Sequence, residues 1–304
     1  MPIGKTFYSH GKLLLTGEYF ILAGATGLAL PTVFGQSLKI SPSTDRLIRW
    51  KSFDENGKTW FESSFNPEDF SSPNKDKVTA TLSKILQEAK NLNPHFLVEE
   101  YGKNIETRLE FSRHWGLGSS STLINNIAQW AEVDPFILLE KSFGGSGYDI
   151  AAAGSKKPIL YSKNENQPVW EEVKLKWNFF DSLFFVYLNQ KQDSREGIRR
   201  FQKAKPDLRT AERISVISRT LPETIFPEDF ESLLNEHEEL VSESLALPTV
   251  KSSLFPDYPK TIKSLGAWGG DFILATGGEA EKQYFRDKGY QTILSFKKMT
   301  YPVD

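Results

Sequence analysis

At 304 residues the chain exceeds one typical domain, and 39% hydrophobic, 13% aromatic and 25% charged residues exclude disorder as its main state. Thirty-seven Lys and Arg against 39 Asp and Glu leave a net charge of −2, so no electrostatic surplus marks nucleic acid or an anionic membrane as the partner. The absence of cysteine excludes disulfides, thiolate nucleophiles, iron–sulfur clusters and Cys-built zinc sites, and the four scattered histidines form no H-E-x-x-H.

Residues 7–30 carry short apolar runs cut by Gly11, Gly17 and Gly24, a pattern of strands and turns. Two alternating segments around Asp54-Glu55-Asn56-Gly57 predict a hairpin, so the N-terminal part is expected to be β-rich. A polar loop over 66–77 precedes helical spacing at Val78, Leu82, Ile85 and Leu86, and 97–110 returns to a strand pattern. Gly116-Leu117-Gly118-Ser119-Ser120-Ser121 then opens a helix continued by Leu123, Ile124, Ile127 and Ala128. Asp134-Pro135 starts another, and Gly144–Gly147 leads into a small-residue helix from Tyr148.

The second half is expected to begin after a boundary near 177, dividing the chain into 1–177 and 178–304. It offers a buried strand over 183–188, a helix from Ser194, two helices within 207–247, and a closing strand–helix–strand unit over 272–296. No repeat appears, so nothing supports a solenoid. The start lacks the long apolar core of a secretory signal, and no stretch reaches the ~18 apolar residues of a membrane span. A soluble cytoplasmic protein without membrane or nucleic-acid partners is the expectation.

Four segments carry candidate chemistry. Gly116–Ser121 suits a phosphate cradle, because glycines let backbone approach an anion and helix N-terminal amides favour negative charge. It lacks the Gly-Lys-Ser/Thr of a P-loop and the third glycine of a dinucleotide fingerprint, and an ordinary capped turn has the same composition. Gly11-Lys12 with Gly17-Glu18 places a cation and an acid on a glycine-flanked strand and turn. Ser146-Gly147-Tyr148-Asp149 puts a carboxylate at a helix start, where it serves either as a cap or as a general base. Gly266-Ala267-Trp268-Gly269-Gly270-Asp271 is a glycine-rich loop before a strand, the mark of a tight turn or close packing.

Together and in this order, the segments Gly11-Lys12-Leu13-Leu14-Leu15-Thr16-Gly17-Glu18, Gly116-Leu117-Gly118-Ser119-Ser120 and Gly266-Ala267-Trp268-Gly269-Gly270 resemble the three motifs of the GHMP kinase superfamily. Gly17–Leu22 and Gly145–Ala153 look most like phosphomevalonate kinase and, next, mevalonate kinase. The resemblance implies an α+β, two-domain fold with a β-rich N-terminal domain and a C-terminal ferredoxin-like α/β sandwich. It also implies γ-phosphoryl transfer from ATP, with Mg²⁺, to a small mevalonate-pathway acid in isoprenoid precursor synthesis.

Under that resemblance Gly116, Leu117, Gly118, Ser119, Ser120 and Ser121 wrap the ATP phosphates, with the Ser120 hydroxyl on Mg²⁺. Asp149 accepts the proton of the attacking oxygen, and Lys12, expected close to Asp149, neutralises developing charge. Glu140 is the nearest candidate for an acidic Mg²⁺ ligand, while the same residue suits a solvated helix face. Glu18, Ser146, Gly147, Ser194, Arg195, Gly269 and Gly270 are the expected substrate-binding residues, although the Arg195 segment also reads as a solvated helix face. Trp268 stands where glycine is usual, so its indole is expected to narrow the substrate pocket. The resemblance admits a homodimer. Two other readings stand beside the kinase: a catalytically silent ATP-binding sensor of the same fold, and a diphosphomevalonate decarboxylase-like enzyme.

Overall fold

Two units alternate along the chain: one takes the sequence up to Gly11, Phe34–Arg113 and Leu117–Gly154, the other Lys12–Val33, His114–Gly116 and everything from Ser155 onward. The structure, a computed structural model, describes residues 4–98, 102–164, 167–190, 194–204, 207–266, 268 and 270–301.

The long strands β1 (Lys5–Thr16) and β2 (Gly27–Pro42) pair with each other and contribute residues to both units. The first unit adds β3 (Ile48–Phe53), β4 (Thr59–Phe65), α1 (Lys77–Leu92), β5 (Lys103–Leu109), α2 (Ser119–Ala131), α3 (Pro135–Ser142) and α4 (Tyr148–Ala153). β3 and β4 form the expected hairpin, and β5 lies parallel to β3 and antiparallel to β2, with Gln36 opposite Leu109 and Pro42 opposite Lys103. The hairpin turn forms because Asp54 accepts the backbone N–H of Asn56 and Lys58 while Gly57 takes the left-handed region at φ +78.

β1 runs uninterrupted through Gly11, where a cut is expected, and β2 runs through Gly35. Gly35 does not break β2: a Cβ there would stand 2.3 Å from the Ser9 carbonyl oxygen and 2.5 Å from the Tyr8 ring, so glycine marks a close approach of neighbouring strands.

Leu38, Ile40, Trp50 and Ile105 turn one sheet face toward Leu82 and Leu86 of α1, Ile124, Ile127 and Ala128 of α2, and Leu138 of α3. Each fully buried aliphatic side chain there contributes about 1.5–3 kcal/mol. α1 starts where Asp76 caps Val78 and Thr79, and α3 where Asp134 caps Phe136 and Ile137 with Pro135 at the first helical position. α2 also buries a polar face. Ser9 Oγ donates to Asn126 Oδ1 at 2.7 Å and accepts from Asn125 Nδ2 at 2.9 Å, while Thr122 Oγ1 donates to Gln36 Oε1 at 2.6 Å. A satisfied buried network of this kind admits one register, so it fixes where the first turn of α2 falls.

The second unit continues with β6 (Ile159–Asn164), β7 (Gln167–Glu172), β8 (Leu183–Tyr187), α5 (Ser194–Ala204), α6 (Leu208–Thr220), α7 (Pro227–Leu245) and α8 (Val250–Leu254). It closes with β9 (Ile262–Leu265), β10 (Phe272–Thr276), α9 (Glu279–Asp287), β11 (Ile293–Ser295) and α10 (Phe296–Met299). β6 pairs with residues 27–29 of β2 and with β7. The sheet β11-β8-β10-β9 is antiparallel throughout and has the ferredoxin-like strand order.

β8 reads as a continuous apolar run because both its faces are covered. Phe184 and Val186 pack with Ile273 and Phe285, and Phe185 stacks on Phe296 at 5.7 Å. No helix among the described residues is long and apolar enough to cross a membrane.

Candidate active site

The loop into α2 is shaped by two glycines at positive φ, Gly116 at +66 and Gly118 at +85. Gly118 is the N-cap of α2 and, having no side chain, supplies no side-chain cap bond to the helix. Its first amides keep their donors directed out of the helix end, where the macrodipole also favours an anion. Ser119 is half-buried and Ser120 exposed at this terminus. An uncapped terminus of a 13-residue helix with two accessible hydroxyls fits a phosphate group.

Ser121, the next residue, is 4% exposed and turns away from the terminus: its Oγ donates to Asp149 Oδ2 at 2.5 Å. Asp149 is half-buried in the first turn of α4, behind Gly147 at φ +89, and its Oδ1 accepts the Ile150 N–H at 3.2 Å. The first unit thus joins the expected base to the expected phosphate loop. Ser146 is half-buried beside Gly147, and Glu140 is exposed on α3. Among the described residues no three His, Asp or Glu side chains cluster to hold a metal ion.

The second unit places Lys12 against the start of the same loop, its Nζ donating to the Gly116 carbonyl at 3.1 Å. Asp271, at the entry to β10, also lies against Gly116, since a Cβ there would stand 1.9 Å from its Oδ2. Burial and then the Asp271 charge push the Tyr187 phenol above its ordinary pKa. Trp115 anchors the loop start through edge contact with Phe272 at 5.5 Å. In the sequence Asp271 belongs to a glycine-rich loop, and nothing there marks it as a neighbour of Gly116.

Glu18 is not at the surface. It is 1% exposed, paired with the ammonium of Lys263, which in turn lies 3.0 Å from Glu238 Oε1. Burial outweighs the attraction of Lys263 and pushes the Glu18 carboxyl up to about 7. Burial pulls the other way on Lys263, and the two glutamates more than offset it, so its pKa is raised. His237 accepts the Gly17 N–H on Nε2 at 2.9 Å and stands 3.3 Å from Glu18 Oε2. Burial, then Lys263, holds its pKa well below the ordinary value, which keeps the ring neutral. In this arrangement Glu18 fastens the Gly17 turn to α7 and β9 and does not present its carboxylate to a substrate.

Trp268 also departs from expectation. It is 9% exposed, its N–H donating to the Tyr19 hydroxyl at 2.7 Å and its indole to the Pro248 carbonyl at 3.1 Å, among Phe201, Val241 and Leu245. The indole fills a core and does not narrow a pocket.

Gly270 closes the turn between β9 and β10, where a Cβ would meet the Leu265 carbonyl oxygen at 2.7 Å, while Gly269 lies outside the described residues. Ser194 and Arg195 begin α5.

No family model matches the chain, and no curated protein sequence matches it. Solved structures do. The Lin0012 protein of Listeria innocua aligns with a TM-score of 0.73 at 14% identity, covering 99% of this chain and 100% of its own. The mevalonate kinase of Methanococcus jannaschii gives 0.71 at 15% identity over 96% and 98%. The phosphomevalonate kinase of Streptococcus pneumoniae, in complex with phosphomevalonate and AMPPNP, gives 0.71 at 15% identity over 95% and 99%. The chain has the GHMP kinase fold.

Proposed function

We propose that this protein is an ATP-dependent kinase that transfers the γ-phosphoryl group to a small mevalonate-pathway acid, phosphomevalonate or mevalonate. One observation carries the reading: the uncapped, glycine-shaped N-terminus of α2 is hydrogen-bonded through Ser121 to an acid, Asp149, on a fold shared with kinases of such acids.

In this reading the amides of residues 116–121 bind the phosphates, and Lys12, attached to the Gly116 carbonyl, supplies positive charge at the loop start. Asp149 accepts the proton of an acceptor hydroxyl. With a phosphorylated acceptor the attacking oxygen is already an anion, and positioning then matters more than proton removal. Mg²⁺ supplies charge neutralisation of the nucleotide phosphates when bound, with Ser120 and Glu140 as the side chains proposed to hold it. One hydroxyl and one carboxylate suffice in kind, because Mg²⁺ is commonly held by one or two protein oxygens together with substrate phosphates.

Ser146, Gly147, Ser194, Arg195, Gly269 and Gly270 are retained as proposed acceptor contacts, and 1–177 and 178–304 as proposed sequence domains. Glu18 is withdrawn from the substrate contacts because its carboxylate is buried against Lys263.

The test is a coupled ADP-release assay with ATP and Mg²⁺, offering mevalonate, phosphomevalonate, diphosphomevalonate, homoserine and galactose, with product masses measured. Phosphorylation of mevalonate or phosphomevalonate supports the proposal. Silence with both refutes it, and silence with all five while ATP binds calorimetrically favours an untried substrate or the sensor.

A further inference from the structure

A serine in the first turn of a helix ordinarily bonds to its own helix end. Ser121 instead sends its hydroxyl out of α2 to Asp149, although the N-cap residue Gly118 has no side chain to cap that terminus. The side chain is buried, so water does not compete for the bond.

Asp149 needs an external hold. α4 has six residues, and Gly144, Gly145 and Gly147 before it all sit at positive φ. So short a helix has little stability of its own, and the glycines impose little on the segment that delivers it. Ile150, Ala151, Ala152 and Ala153 are buried and hold the helix body by packing. They leave the carboxylate torsion of Asp149 unset, and that torsion is intrinsically broad. Its Oδ1 accepts the neighbouring Ile150 amide within α4, whereas the Oδ2 bond comes from α2.

We infer that Ser121 is a positioning residue that fixes the Asp149 carboxylate against the first turn of α2. The inference rests on Asp149 acting as the proton acceptor proposed above. α2 is itself pinned by the Ser9, Asn125, Asn126 and Gln36 bonds, so Ser121 transmits a rigid reference to a carboxylate on a weakly defined segment. Ser121 neither gives nor takes a proton in the reaction. It donates to Oδ2 throughout, leaving Oδ1 to receive the proton.

The experiment is steady-state kinetics on Ser121→Ala, Ser121→Thr, Asp149→Ala and Ser121→Ala/Asp149→Ala, using ATP with whichever of mevalonate or phosphomevalonate the wild type phosphorylates. Ser121→Ala is expected to lower kcat about 10- to 100-fold, the loss of one hydrogen bond to a charged group, with the ATP KM unchanged. Ser121→Thr, which keeps the hydroxyl, is expected to recover most of that loss. The double variant is expected to turn over no more slowly than Asp149→Ala, because Ser121 acts through Asp149.

A wild-type kcat in Ser121→Ala overturns the inference. So does a rise in ATP KM without a fall in kcat, or a double variant slower than Asp149→Ala by the full Ser121→Ala factor. Wild-type turnover in Asp149→Ala sinks the base assignment itself. An inactive Asp149→Ala beside an unaffected Ser121→Ala sinks only the positioning role.

Discussion

Replacing Glu18 by Gln should change how stability depends on pH, with a sign and size that follow from the buried cluster. The Glu18 carboxyl is raised from 4.5 to about 7, chiefly by burial. Between those values the folded chain keeps a proton that the unfolded chain releases, so stability contributed by protonated Glu18 is complete below about 4.5 and lost as pH rises to about 7. The slope is about 1.4 kcal/mol per pH unit, or about 3 kcal/mol across the window. His237 works in the opposite direction. Its pKa is depressed from 6.5, so its contribution is complete above that value and lost as pH falls.

In the wild type the two slopes oppose each other just below pH 6.5. Glu18→Gln removes one of them and exposes the acid lability of His237. Urea unfolding of both proteins at pH 5, 6, 7 and 8 measures this directly. The stability of the variant minus that of the wild type should rise by about 1.4 kcal/mol per unit up to pH 7 and then level off. Common effects of other carboxylates cancel in that difference. A difference independent of pH would refute the reasoning.

Lys263→Met should leave Glu18 and Glu238 buried without their cation and cost about 3–5 kcal/mol, read as a lowered urea midpoint at neutral pH. Trp268→Ala should cost about 3–5 kcal/mol in the same assay, because it empties a packed core position. Among variants that remain folded, it should leave the preference between mevalonate and phosphomevalonate unchanged. A switch in acceptor would return the indole to the substrate pocket.

Much of the fold was legible because its signals are local. Asp54 to Gly57 encode the hairpin turn in four consecutive residues, and Asp76 and Asp134 mark helix starts by caps two or three residues away. Gly35 was not legible, since a strand-interior glycine has the same letter whether it ends a strand or admits a neighbour's backbone.

The candidate site divides in the same way. Gly118 and the serines that follow announce an uncapped helix, but the Ser121–Asp149 bond spans 28 residues and nothing in either segment points to the other. Glu18 and Lys263 are 245 residues apart. A glutamate beside a glycine turn looks available for substrate until its buried cation is found. Trp268 stands out in the sequence as bulk in a glycine-rich loop, whereas its surroundings on α7 and at Pro248 decide what it does.

The central claim is that Asp149 and the α2 terminus divide chemistry from nucleotide binding. Calorimetric titration of ATP into wild type and Asp149→Ala, paired with mass detection of phosphorylated acceptor, tests it most directly. The account predicts ATP affinity within about threefold of wild type and product formation from a hydroxyl acceptor lower by about 10²–10⁴-fold, the size of a general-base contribution, with a smaller fall for an acceptor whose attacking oxygen is already an anion. Near-normal product formation, or loss of ATP binding together with activity, would contradict it.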